Sequence, residues 1–293
     1  MIRSFLCIFA ALVAASNTAA EVNVLVTIKP LQLIAEAIIG DAGTVATLMP
    51  AGSSPHHYTL SPADRVAIEA ADLIIYVGEE LETQLDSIMG QLEAKKNILK
   101  MLNLESLERL SLIPGEGIKD GMDIPRFDPH IWLNTDNAIA MAAAIRDQLA
   151  VIDSTQASEF ADNFNRFNNS LIDLESQWQQ SIQSIELEPY LVYHNAFSYF
   201  ETQFGLGHRL VLVNDPEIQP GIRQILNVRK ALTEIQPVCL FIDESASRAT
   251  INTMLSGYKI NMVQLDLLGK KLTETEGYEQ LMENLINDFI HCF

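Results

Sequence analysis

Past its first twenty residues the chain alternates short apolar runs with stretches whose apolar positions recur at helical spacing. Val24-Leu25-Val26-Thr27-Ile28 is rich in β-branched residues and reads as a strand. Pro30 then opens a helix through Leu33, Ile34, Ile38 and Ile39, which Gly40 ends. Thr44 to Met49 is the next strand, and Ser61-Pro62 is an N-cap with proline in the first turn of a helix to about Ala71. Leu73-Ile74-Ile75-Tyr76-Val77 is a continuous apolar run of the kind buried on both faces of a sheet, followed by a helix over Glu80 to Leu92.

An Ala-rich helix spans about Asp136 to Leu149. From Thr155 to Ile185 a long polar stretch carries Phe160, Phe164, Phe167, Leu171, Leu174, Trp178 and Ile182 at helical spacing, without Pro or Gly. That is long for an α/β protein, and because strand-helix alternation resumes right after it, a spine between lobes fits better than a coiled coil. Tyr190 to Tyr193, Arg209 to Val213, Cys239 to Ile242 and Asn261 to Leu265 read as strands. Asn195 to Phe204, Gly221 to Ile235 and Gly277 to Ile290 read as helices. The expectation is an α/β fold of two doubly wound lobes, residues 21–153 and 187–293, joined by a long rigid helix over 154–186. In such sheets ligands bind beyond the carboxyl ends of the strands.

Residues 1–20 carry one Arg, an apolar stretch from Phe5 to Ala15 and the small residues Thr18-Ala19-Ala20. They read as a secretory leader cut after Ala20, too short in its apolar run for a membrane span, so the mature protein is expected in the periplasm. With 19 Lys plus Arg against 38 Asp plus Glu, the chain is repelled by nucleic acid and by anionic membranes, and its field favours cations. The leader removed, Cys239 and Cys292 are the two cysteines left. In an oxidising compartment they read first as a disulfide, with free thiols or thiolate metal ligands as rivals, although neither lies in a C-x-x-C spacing.

The candidate chemistry lies in His56 of Ser54-Pro55-His56-His57-Tyr58, His130 of Asp128-Pro129-His130-Ile131-Trp132-Leu133, His194 of Tyr193-His194-Asn195-Ala196-Phe197, and Asp266 of Leu265-Asp266-Leu267-Leu268-Gly269. Three neutral imidazoles and a carboxylate form the closed four-coordinate set that zinc prefers. Their wide spacing excludes a locally built site, so the fold must gather them, two from each half, into a crevice between lobes. Neighbours on an extended segment point to opposite sides, which sets His57 apart from His56. His208 and His291 have no supporting context. Trp132, Phe197 and Tyr199 fit apolar walls of the site or ordinary core equally well.

On these four motifs, and over nearly its whole mature length, the chain resembles the metal-specific solute-binding proteins of bacterial ABC importers, the zinc and manganese uptake family. The resemblance implies two α/β lobes on a rigid long helix, and His56, His130, His194 and Asp266 as ligands. It also implies one Zn2+ per chain as transported ligand and an inner-membrane ABC permease as partner. A manganese-binding member would have a carboxylate at the third position, where His194 favours zinc. The cysteine pair resembles a disulfide of the zinc branch. The stretch 114–123 lacks the histidines that many zinc members carry in a loop before the Asp-Pro-His motif, which argues against a second metal site.

The resulting expectation is a monomeric periplasmic zinc-binding protein that does no chemistry. A zinc hydrolase is the rival class, but it would keep one coordination position open for water beside a separate general base, and neither a His-Glu-x-x-His motif nor a nucleophile triad is present. An adhesin or metal buffer on the same fold is a third reading.

Overall fold

The computed structural model describes residues 21–50, 52–112, 127–216 and 218–293. The leader reading at residues 1–20, the segment 114–123 and the side chain of His57 lie outside the described residues.

The first half is built from β1 (Val22–Val26), α1 (Lys29–Ile39), β2 (Gly43–Thr47), α2 (Pro62–Ala70), β3 (Leu73–Tyr76), α3 (Thr83–Leu92) and β4 (Asn97–Lys100). Two helices follow, α4 (Thr135–Ile152) and α5 (Ala157–Gln183). The second half comprises β5 (Tyr190–Val192), α6 (Ser198–Phe204), β6 (Leu210–Val211), α7 (Ile222–Ile235), β7 (Cys239–Ile242), α8 (Arg248–Met254), β8 (Asn261–Gln264) and α9 (Tyr278–Ile290).

Each half holds a four-stranded parallel sheet, ordered β2-β1-β3-β4 in the first and β6-β5-β7-β8 in the second. The same winding thus occurs twice. In each sheet the connections leave in opposite directions from the central pair, β1 with β3 and β5 with β7, and it is at such switch points that a crevice opens. Val24, Leu25 and Val26 of β1 and all of β3 are buried, as their apolar runs require in a sheet covered on both faces.

Ser61 caps α2 as expected, its hydroxyl accepting from the Asp64 N–H while the Asp64 carboxylate accepts from the Ser61 N–H. The 27-residue α5 buries Phe160, Phe167, Leu171, Trp178 and Ile182. It packs against α1 and α4 and also against α9. Near its start Asn163 Nδ2 donates to the carbonyl of Ile38 at the end of α1, 2.8 Å away, and near its end Trp178 Nε1 donates to Glu283 on α9.

Several bounds differ from the sequence reading. α3 begins at Thr83 instead of Glu80, because Glu82 turns inward: its carboxyl accepts from the N–H groups of Val77 and Gly78 and from the Thr27 hydroxyl. α6 begins at Ser198 instead of Asn195, since the His194 carbonyl accepts the Ala196 N–H in a tight turn. β4 and α8 were not expected.

Cys239 opens β7 and is bonded to Cys292, just beyond α9, with Cα atoms 6.3 Å apart, within the span a disulfide bridges. The bond closes a loop of 53 residues, worth about 4 kcal/mol on the chain-entropy model. The exported protein is expected to show no free thiol. Alkylation under denaturing, non-reducing conditions followed by intact mass checks this, and two labelled cysteines would refute it.

Candidate metal centre

The three histidines converge. His56 lies in the short 3-10 turn Pro55–His57 between β2 and α2, His130 just before the turn Ile131–Leu133 that leads into α4, and His194 two residues beyond β5. One potential ligand nitrogen from each comes within 4.8 Å of the others. The imidazole centroids of His56 and His130 are 5.9 Å apart, and those of His130 and His194 are 5.6 Å apart. His130 and His194 are buried, and His56 is half-buried at the mouth. Together they line a crevice with Gly52, Ser54, Trp132, Asp243, Glu244 and Leu267.

Two of the rings are held from behind by buried carboxylates. His130 Nδ1 is 2.7 Å from Asp128 Oδ1, which also accepts the His130 backbone N–H at 2.9 Å. His194 Nδ1 is 2.7 Å from Asp243 Oδ2, and Asp243 Oδ1 accepts from the N–H and hydroxyl of Ser245. A carboxylate on Nδ1 fixes the tautomer so that Nε2 presents a lone pair to an ion, and it makes the ring a stronger donor. His194 Nε2 is fully buried and finds no hydrogen-bond partner among the described residues, which leaves it available as a ligand atom.

Burial alone would lower the pKa of His194, but the Asp243 carboxylate, helped by Asp128 and Asp215, outweighs it and holds the imidazole above its ordinary value. Against its own burial, Asp243 is held at about 2 by the same pairing and by Ser245. Asp128 was read as part of a motif without a role of its own. Asp243 escaped notice, though an acid directly after a buried strand such as Cys239–Ile242 sits where the switch-point rule puts ligand-facing groups.

Asp266 does not join the three histidines. It lies just past β8, buried, and its two carboxylate oxygens accept the backbone N–H groups of Lys270 at 2.9 Å and Lys271 at 2.6 Å. Gly269, at φ 69°, makes the turn that aims those amides. The Leu265-Asp266-Leu267-Leu268-Gly269 segment is thus a self-capped turn, and its Leu267 carbonyl accepts from Trp132 Nε1 at 2.9 Å. Glu244 lines the crevice instead. Burial and the neighbouring Asp266 push its pKa up to about 7, with Asp243 adding to the effect.

Trp132 is a wall of the centre, its ring centroid 5.4 Å from that of His130. Tyr199 is buried, and its hydroxyl donates to the Asp128 carbonyl at 3.0 Å; Phe197 is buried core. His208 pairs with Glu201, which also accepts from the Tyr190 hydroxyl, at the opposite end of β5, and His291 is exposed beyond α9.

Two doubly wound lobes with a histidine centre in the crevice at their strand ends define a two-lobed α/β binding protein. A family model described as the zinc-uptake complex component A, periplasmic, matches residues 24–292, and the chain belongs to that family. It is similar to the high-affinity zinc uptake system protein ZnuA of Yersinia pestis, 30% identical with 93% of this chain and 92% of the relative covered. It is also similar to the protein of the same name from Haemophilus ducreyi, 26% identical with 94% of each chain covered. Among solved structures, a ZnuA crystal structure shares the fold at a TM-score of 0.79 and 19% identity, over 93% of this chain and 99% of that one. Zn(II)-bound AdcA from Streptococcus pneumoniae shares it at 0.73 and 23%, over 93% of this chain and 57% of that one.

Proposed function

We propose that this chain is the periplasmic zinc-binding component of an ABC importer. It captures one Zn2+ per molecule through imidazole nitrogens of His56, His130 and His194, and as a monomer delivers it to an inner-membrane permease. The observation that carries this reading is the convergence of three imidazoles, two of them held on Nδ1 by buried carboxylates. Nitrogen-rich donor sets select zinc over the harder manganese ion. The site works by binding, and zinc is cargo. Asp266, committed to backbone amides, is not part of the ligand set proposed here. Export by a leader cut after Ala20 completes the picture, and the amino terminus of the mature protein reads it directly.

Protein purified from the periplasm is expected to hold one zinc per chain and to keep it against excess manganese. Substoichiometric zinc with equal retention of manganese in elemental analysis would contradict the reading. Replacing His194 by Glu substitutes an oxygen donor and is expected to move the preference toward manganese. An unchanged zinc-to-manganese preference in calorimetric competition would show that this position does not set selectivity.

A further inference from the structure

We propose that the outer face of α7 and α8 docks on the anionic phospholipid surface of a membrane. From Ile218 to Leu265 the sequence holds five basic residues, Arg223, Arg229, Lys230, Arg248 and Lys259, against three acids, Glu234, Asp243 and Glu244. Asp243 and Glu244 line the crevice, which leaves Glu234 as the acid of this stretch outside it. The chain as a whole has a formal net charge of -19, so its charges are segregated by face. The fold gathers the basic ones. The connections from β6 to β7 and from β7 to β8 cross the sheet in the same direction, so right-handed crossovers put α7 and α8 on one face, opposite α6. The two helices pack together, and Arg229 fastens them: its Nη1 donates to the Met254 carbonyl at 3.4 Å, and the Tyr258 hydroxyl donates to the Arg229 carbonyl at 3.1 Å.

Val228 and Leu232 of α7 turn inward, to a core shared with Ile251 and Met254 of α8. What faces water is apolar as well as basic. Ile222 is 78% exposed, Leu226 61% and Ile218, just before the helix, 66%. Arg223, Lys230, Arg248 and Lys259 are exposed on the two helices and on the loop after α8. Ile222 and Leu226 stand one helical turn apart and make a ridge. A protein partner fixes its register with charges of both signs, whereas an apolar ridge flanked by cations fits a fluid sheet of anionic headgroups. The apolar tips enter the headgroup layer and the cations meet phosphates. The acids elsewhere on the chain do not prevent this. At about 0.15 M salt charges are screened beyond about 8 Å, so a surface feels the nearest face of the molecule and not its net charge. On the periplasmic reading the surface concerned is that of the inner membrane.

The test is co-sedimentation with vesicles of phosphatidylethanolamine and phosphatidylglycerol, and with vesicles of phosphatidylcholine alone. Wild type is expected to bind the first and not the second at about 0.15 M salt, and to come off at about 0.5 M. Each basic residue near such a surface is worth roughly a factor of five, so R223E/K230E is expected to bind on the order of 25-fold more weakly or worse. I222S/L226S removes the ridge and is expected to lose about 10-fold or more on the same vesicles. R65E/K95E makes the same change in net charge at exposed positions of the first half and is expected to bind as wild type does. Unchanged melting temperatures show that the variants are folded. Wild type that ignores both vesicles or binds them equally overturns the proposal, and so does an equal loss in R65E/K95E, since net charge and not this face would then govern. Photocrosslinking in spheroplasts from Leu226→p-benzoylphenylalanine is expected to give lipid adducts. An adduct of twice the chain's mass assigns the face to a second copy, and one with another protein assigns it to a protein partner; either overturns the proposal. None of these readouts involves metal, so they hold apart from the zinc reading.

Discussion

Replacing His130 by Ala is expected to lower zinc affinity by more than about 100-fold, whereas Asp128→Asn and Asp243→Asn each cost on the order of 10- to 100-fold. The ordering follows from the geometry. In the proposed centre His130 offers its nitrogen to the ion directly, and losing it removes a donor that water replaces poorly. Asp128 and Asp243 act through a ring: their loss leaves the donor in place but frees its tautomer and orientation. Chelator competition on the purified, metal-stripped variants measures all three. Asp128→Asn affecting zinc more than His130→Ala would invert the assignment of direct and indirect contacts.

The second large effect is on pH. An imidazole binds metal only when neutral, so zinc must displace up to three protons, and apparent affinity falls by as much as about three decades per pH unit once the medium is more acidic than every ligand pKa. His194 moves the onset. Its pKa is raised, with burial opposing and Asp243 prevailing, so the fall starts at a higher pH than an ordinary imidazole, near 6.5, would give. In the metal-free protein the raised pKa makes the protonated His194–Asp243 pair stabilising below about pH 6.5, a contribution lost as pH rises through the folded value. Zinc works the other way, since it binds the folded state more tightly at high pH. Melting temperatures of metal-free and zinc-loaded protein should therefore diverge as pH rises from about 5 to 8. A zinc dissociation constant that stays flat between about pH 7 and 5.5 would rule out a three-histidine centre.

The elements easiest to read in the sequence were those whose burial is decided locally. Val24-Leu25-Val26 and Leu73–Tyr76 announce buried parallel strands because covering helices leave no polar positions in them, and Ser61-Pro62 announces a helix start because both residues suit its first turn. β4, Asn97–Lys100, was missed because an edge strand keeps polar ends toward water. α8 was missed because its seven residues bury a threonine, Thr250, beside Ile251 and Met254, so no apolar stripe shows. The three histidines were legible through motif context, and the crevice that gathers them through the strand-end rule. Asp266 stands apart from the three histidines for a physical reason. Nothing in Leu265-Asp266-Leu267-Leu268-Gly269 says whether the carboxylate faces an ion or the amides beyond Gly269, and the left-handed turn at that glycine decides for the amides. Glu244 had no motif at all, since its place follows from a pairing between β7 and β8 that only the folded chain displays.

The contacts around Trp132 bear on how such a site lets go. The indole donates to Leu267, the Tyr278 hydroxyl donates back to the Trp132 carbonyl at 2.7 Å, and the Tyr199 hydroxyl holds the Asp128 carbonyl. His130 precedes α4 in sequence, yet its loop is fastened to three segments of the second half. Any motion that opens the crevice without breaking these bonds carries His130 along with His194 as one jaw. His56, on the turn after β2, takes no part in these bonds, so the second histidine is tied to the half that carries the third.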